Sequence, residues 1–435
     1  MTEPLDTPSA GRVPEPLGPR LLEGLRVVEC SMLGPGAIST PLADLGADVI
    51  KVEPPSGDYI RSMSWPIVRG DSLLHLHVSR GKRSVVLDLR TTAGREVFLA
   101  LAAAAEVVIE AMRPGGLDRR GVGYPALREV NPRIVMCTIS GYGMTGPYRD
   151  LPSHGIAYDA WAGTVAPVPG PDGLPAIPDH TSIGIAAGPL FGTAAILAAV
   201  LRARQVGQGC HLEVAQSDAA AAFDWLRSEG HRAYQRPADE VTGNPADGFE
   251  RRPPGAAGMA DGVRYQFYES SDGHVLFMAS EREFWRSFCA AAGRQDLFDA
   301  RPGAAVADHA RGDLDLRREL SAIFRQRSTA EWIRFGLEHN VPIGPVNTPA
   351  TIAADPQFAA RMPWQPADRL RADQLPFPVR VAGEEPPAAR LRAPARGEHG
   401  TEVLREVLGY DDTRISRLAA DGAFGPRDEF GPRGE

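Results

Sequence analysis

An α/β fold built on a parallel sheet is what this chain predicts, from three observations. Its first apolar run turns through Gly34-Pro35-Gly36 into a helical stretch and then a second run, a β-turn-α-β unit. Strand-like and helix-like runs keep alternating as far as Ile139. Much later, a hairpin pattern between Tyr265 and Ala279 announces a second region of different character.

The elements follow in order. Leu25-Arg26-Val27-Val28-Glu29-Cys30 reads as a strand, Ala37 to Leu45 as a helix, and Ala47-Asp48-Val49-Ile50-Lys51-Val52-Glu53 as the second strand. Ser84 to Leu89, Val107 to Glu110 and Ile134 to Ile139 are further strands, with an alanine-rich helix from Ala93 to Ala105. The alternation is Rossmann-like, but no GxGxxG fingerprint accompanies it, so a nicotinamide cofactor is not indicated. Pro178 to Arg204 reads as a buried helix opened by Asp179, a favoured N-cap type. From about Asn244 to Gly262, Gly, Pro and charge mark a boundary or a mobile loop. Tyr265 to Glu269 and His274 to Ala279 pair around Ser271-Asp272-Gly273, and helical patterns follow at Arg282 to Ala292 and Ala330 to His339. This is a smaller α+β domain.

Composition narrows the function. The 435 residues suffice for two or more domains with a large core. A formal charge of −8 disfavours a nucleic-acid partner. Cys30, Cys137, Cys210 and Cys289 are far apart and make no metal spacing, so reduced thiols in a cytoplasmic protein are expected. Ile183 to Leu201 is the longest apolar run, but it is rich in Gly and Ala and contains Pro189, so no membrane span is expected. Met1 to Pro19 holds five prolines and no apolar signal core, and is expected to be a disordered tail.

Six short blocks stand in order along the chain. They are Leu42 to Asp58; Arg80-Gly81-Lys82-Arg83-Ser84 with Leu87-Asp88-Leu89; Arg113-Pro114-Gly115; Ser140 to Tyr148; Val341 to Val346; and Gly397-Glu398-His399. Each is weak alone. Together they resemble the family III CoA-transferases, a group that includes formyl-CoA and carnitine CoA-transferases and the α-methylacyl-CoA racemases. One departure is Ser79, where an asparagine is usual. The resemblance runs from about Leu21 to Ala420.

The resemblance implies a Rossmann-like large domain completed by the C-terminal segment, a small α+β domain, and an interlocked homodimer. Expected bounds are 1–20 for a tail, 21–225 for the large domain, 226–330 for the small one, 331–422 for the returning segment and 423–435 for a second tail. Coenzyme A enters as part of an acyl-CoA substrate, and no other cofactor or metal is expected. Its expected contacts are Arg80, Lys82, Arg83 and Arg119, whose cationic heads suit phosphates, with backbone around Gly34 and Gly115.

The resemblance also singles out a half-present pair. His154 stands where the racemases carry a histidine, but Gly155 stands where the transferases carry their aspartate nucleophile. Asp179 matches the racemases' partner acid/base, and Glu281 a glutamate that orients the histidine. Two acid/base groups flanking a thioester enolate would move an α-proton, and this racemase-like reading is the first expectation. The alternative is CoA transfer between carboxylates, which needs a carboxylate nucleophile. Asp159 is the nearest substitute, but four residues from Gly155 is one helical turn, about 5–6 Å.

Overall fold

The computed structural model describes residues 20–63, 66–243, 249–251, 259–305, 307–385 and 387–425. Residues 1–19 and 426–435 of the two expected tails, and much of the Asn244 to Gly262 stretch, lie outside these residues; Ala423, expected in the second tail, is instead fully buried in the core. Two compact units emerge: residues up to Asp224 with those from Arg361 onward, and Trp225–Ala360.

The first unit is organised by six strands: β1 (Arg26–Cys30), β2 (Asp48–Glu53), β3 (Lys82–Val86), β4 (Val107–Glu110), β5 (Val135–Ser140) and β6 (His211–Ala215). They lie in the order β3-β2-β1-β4-β5-β6, every neighbouring pair parallel. That is the doubly wound order, which reverses direction between β1 and β4. Strand periodicity sends successive residues to opposite faces. Val28, Ile50, Val85, Val108 and Met136 therefore meet Val97, Phe98 and Leu101 of α2 (Thr92–Ala103) on one side. Val27, Val49, Val107, Ile109 and Val135 meet Ile196, Val200 and Ala203 of α4 (Gly184–Val206) on the other.

Helix α4 has 23 residues and is long and apolar enough, by length and composition, to cross a membrane; half of its most apolar stretch is buried in the fold. It starts at Gly184, later than the expected Pro178, and Asp179 does not cap it. The opening β-turn-α-β unit also differs in detail. Gly34–Ile38 forms a tight 3-10 turn, and α1 covers only Thr40–Asp44, because Pro41 in the first turn restarts the helix.

The chain then returns. Helices α9 (Gly400–Glu406) and α10 (Asp412–Ala420) add Val403, Leu404 and Leu418 to the α2-side core. Edge strand β3 is covered by this segment: the His399 N–H donates to the Ser84 carbonyl at 3.0 Å, and the Gly81 N–H to that of Leu391 at 2.8 Å.

In the second unit, β7 (Tyr265–Glu269), β8 (His274–Met278) and β9 (Ile343–Pro345) form an antiparallel sheet. It packs on an aromatic core of Phe277, Phe288, Phe324 and Trp332, with α6 (Arg282–Ala291), α7 (Leu314–Phe324) and α8 (Thr329–His339). The expected boundary at residue 330 is corrected to 360. Trp332 and Phe335 of α8 are core residues, and β9 is the third strand of the small sheet.

Candidate active site

A cavity of about 870 Å³ opens at the C-terminal ends of the parallel strands, within the first unit. Every strand of the sheet runs into its wall, and Gln216 follows β6 there. Cys30 ends β1 and Ser31 follows it, Val52 lies near the end of β2 and Pro54 follows it, Leu87 and Asp88 follow β3, Ala111 and Met112 follow β4, and Ser140 ends β5 with Gly141 after it. This crevice includes the point where the strand order reverses, where open α/β sheets bind their ligands.

Charge beneath the floor fixes its shape. Glu29, Lys51, Lys82 and Asp58 are all buried. Lys51 Nζ lies 3.0 Å from Glu29 and 2.9 Å from Asp58, and Lys82 Nζ 2.7 Å from Glu29. Burial alone would raise the Glu29 carboxyl; Lys51 and Lys82 overcome it and hold the group at about 2. Burial pulls Lys82 down to about 8 against the attraction of Glu29. The network also ties the wall. Lys51 donates to the Ser31 carbonyl at 2.8 Å, Lys82 to that of Gly36 at 2.7 Å, and Asp58 accepts from the Leu33 N–H at 3.3 Å. Leu33 sits at φ 61°, a strained value for a leucine, and lines the cavity.

The rim is cationic. Arg90, Arg113, Arg119, Arg120 and Arg149 all reach the cavity. Arg119 donates to the Pro114 carbonyl at 2.9 Å and Arg120 to that of Gly116 at 2.8 Å, which braces the loop after β4. Tyr59, Tyr142 and Tyr158 give the wall an aromatic patch, with Tyr142 and Tyr158 ring centroids 6.1 Å apart.

The sequence-predicted residues divide. His154 is exposed and lines the cavity, as does Arg119. Gly34 and Gly115 are not themselves on the wall, but their neighbours Leu33, Pro35, Pro114 and Gly116 are. Arg80, Lys82 and Arg83 are not brought there, which corrects the expected CoA patch. Arg80 is buried and grips Asp44 at 3.0 and 2.7 Å. Lys82 belongs to the floor network. Arg83 grips Asp48 at 3.0 and 2.8 Å and reaches Glu402 and Glu406.

Asp159 is wholly buried. One carboxylate oxygen accepts from the N–H groups of Ile183 at 2.9 Å and Gly184 at 3.0 Å, and the other from Ser182 Oγ at 3.1 Å. It plays the capping role expected of Asp179, from a segment 24 residues away. Asp179 is exposed and does not line the cavity. Glu281 lies in the second unit, exposed, and accepts from Ser280 Oγ at 3.0 Å.

The segment carrying His154 is seated tightly at one end and loosely at the other. A Cβ on Gly141 would lie 2.0 Å from Ser153 Oγ and 2.9 Å from the Tyr158 ring, so only glycine fits there. Gly155 has φ 46°, and a Cβ on it would meet no atom within 4 Å. Reasoning from sequence missed Arg90, Arg113, Arg120, Arg149 and the three tyrosines as wall residues. For two of them the signal was present, in the residue after Leu87-Asp88-Leu89 and in Arg113-Pro114-Gly115.

Comparison with known proteins adds the following. Residues 22–400 match the sequence model of CoA-transferase family III. The chain is 31% identical to the succinyl-CoA–L-malate CoA-transferase beta subunit of Chloroflexus aurantiacus, over 91% of this chain and 96% of that one. It is 32% identical to the succinyl-CoA:mesaconate CoA-transferase of Haloarcula hispanica, over 91% and 98%. It is 28% identical to human succinyl-CoA:glutarate CoA-transferase, over 92% and 89%. Among solved structures, a CAIB/BAIF family protein from Brucella suis superposes with a TM-score of 0.70 at 28% identity, covering 90% of this chain and all of that one.

Proposed function

The chain belongs to CoA-transferase family III, and from that premise we propose that it moves coenzyme A from an acyl-CoA thioester to a carboxylic acid, as a homodimer. The observation that carries this reading is the join of relatives and cavity. The relatives compared above are named CoA-transferases and align over nine-tenths of the chain. The cavity at the strand ends is rimmed by five arginines, a setting for a polyanionic cofactor and a carboxylate.

The racemase-like reading stands second. It needs two acid/base groups facing one enolate, and of His154 and Asp179 only His154 lies on the cavity wall. The covalent variant with Asp159 as nucleophile is disfavoured, since that carboxylate is sealed and fully engaged at the head of α4.

The test is direct. The protein is incubated with succinyl-CoA and a panel of acids (glutarate, L-malate, mesaconate, oxalate), and new thioesters are separated chromatographically. Formation of a new acyl-CoA with release of succinate is expected. Deuterium wash-in at the α-carbon of a 2-methylacyl-CoA, with no thioester exchange, would reverse the order of the two readings. Light scattering should give twice the 46.7 kDa chain mass at micromolar concentration; a monomer would sink the dimer.

A further inference from the structure

One part of the cavity wall breaks a backbone rule. Leu33 stands at φ 61° and ψ −147°, a region that is essentially reserved for glycine. Asp58 sustains it. Both of its carboxylate oxygens lie 3.3 Å from the Leu33 nitrogen, and the same carboxylate meets Lys51 at 2.9 Å and the Ile60 N–H at 3.0 Å. Glycine would hold this turn without strain, so the leucine is there for the side chain it presents to the cavity. Tyr59 follows Asp58 and lines the same cavity. Tyr142 and Tyr158 reach it from beyond β5, their ring centroids 6.1 Å apart. Burial raises the Tyr158 hydroxyl and the Tyr142 and Tyr59 hydroxyls add to that, so the three phenols converge. Exposed Met32 adds a thioether, a group that packs well on ring edges.

Charge sits elsewhere. Arg90 belongs to the loop after β3, and Arg113, Arg119 and Arg120 to the loop after β4. Lys51 and Lys82 are locked beneath the floor. Beside Tyr158 the polar partners are uncharged: the Ser153 hydroxyl at 3.4 Å and the Gln216 side chain, whose amide oxygen has no partner among the described residues. A second carboxylate lodged here would be desolvated against neutral groups. The segment after β5 brings Arg149 and His154 to the wall, partners for one carboxylate. The phosphates of CoA suit the arginines after β3 and β4, and the adenine goes with them.

Resting on the transferase reading, we propose that the acid this cavity serves is a monocarboxylic acid carrying an aromatic ring, with Leu33 and Tyr59 the residues that select it and Tyr142 and Tyr158 completing the seat of the ring. The leucine closes one side of that seat, and the tyrosines offer the tilted ring contacts that aromatic groups prefer. Dicarboxylic acids are the poorer substrates, because their second charge finds no cation at this end of the cavity.

The experiment compares acids. The wild-type protein is given 3-phenylpropanoyl-CoA or succinyl-CoA, each with phenylacetate, hexanoate, glutarate or L-malate, and initial rates of new thioester are measured. With the aromatic donor, kcat/KM for phenylacetate should exceed that for each other acid by roughly tenfold or more, the scale of an aromatic contact added to apolar burial. Leu33→Gly, which suits the backbone there, and Tyr59→Leu, which keeps an apolar side chain, should each cut that advantage several-fold, while CoA affinity in calorimetry stays as in wild type. Preference for glutarate or L-malate, or hexanoate as good as phenylacetate, would overturn the inference and leave the transferase reading standing. An unchanged ratio in both variants would do the same, as would a loss of CoA affinity, which would make the patch the adenine seat. Transfer from neither donor to any acid would instead defeat the transferase reading, and the inference with it.

Discussion

Replacing Asp159 separates a capping role from a chemical one. Its first carboxylate oxygen takes the N–H groups of Ile183 and Gly184, and its second takes the Ser182 hydroxyl. Asp159→Ala strands two buried donors at the head of α4. Each stranded donor costs about 1–3 kcal/mol, and partial relaxation brings the sum to about 2–4 kcal/mol. Asp159→Asn keeps one oxygen for both N–H groups and turns an amide NH₂ toward Ser182, whose hydroxyl also accepts. Only the charge assistance is lost, about 1 kcal/mol. Urea unfolding followed by circular dichroism and tryptophan fluorescence gives the stabilities, and thioester exchange gives the activity of the folded fraction. The asparagine variant should remain active and the alanine variant should unfold at clearly lower urea. An asparagine variant as stable as wild type but inactive would refute this reasoning and return Asp159 to the chemistry.

Three further outcomes are expected. Glu29 is held near 2, below its unfolded value of about 4.3–4.5, so the stability it contributes is complete above that range and is lost as pH falls through 2. Glu29→Gln should cost about 3–5 kcal/mol near neutrality by leaving buried lysines short of a carboxylate, and should flatten the acid limb of a urea titration; an unchanged limb contradicts the assignment. Arg83→Ala should leave CoA affinity unchanged in calorimetry while lowering stability, whereas Arg113→Ala should weaken CoA binding roughly tenfold at low salt and less at high salt. If Arg83→Ala is the variant that loses CoA, the rim has been misplaced. Gly141→Ala should push Ser153 and the Tyr158 ring aside, lowering kcat by roughly tenfold or more, the scale on which small displacements slow catalysis, with little change in CoA affinity. Unaltered turnover would show that the His154 segment needs no such seat.

The strands were legible because β-branched runs and their alternation with helices are local properties. Register was not legible, and the misplaced CoA patch follows from that. In sequence, Arg80, Lys82 and Arg83 form one basic cluster. In the fold their partners Asp44, Glu29 and Asp48 lie 36, 53 and 35 residues upstream, on α1, β1 and β2. A cluster of cations reads as a phosphate site only while its carboxylate partners are invisible. The start of α4 was misjudged for a related reason: its cap acceptor is Asp159, reached across a loop, so the local N-cap rule chose the wrong aspartate. His154 and Arg119 were found through positions that the family resemblance implies, outside the six blocks. The remaining arginines reach one cavity only because the sheet order gathers the loops after β3, β4 and β5.

The returning C-terminal segment has a consequence for how the protein is made. The ribosome must complete the entire second unit before it delivers the residues that cover β3 and finish the α2-side core. Through that interval the nascent sheet presents an unguarded edge and a half-covered apolar face, the features that invite intermolecular pairing. The second unit carries its own aromatic core and short-range strand pairing, so it can fold while the first one waits. Yield in a cell is therefore limited by how long the unfinished sheet is shielded, and slower translation of the codons between Trp225 and Ala360 lengthens that exposure.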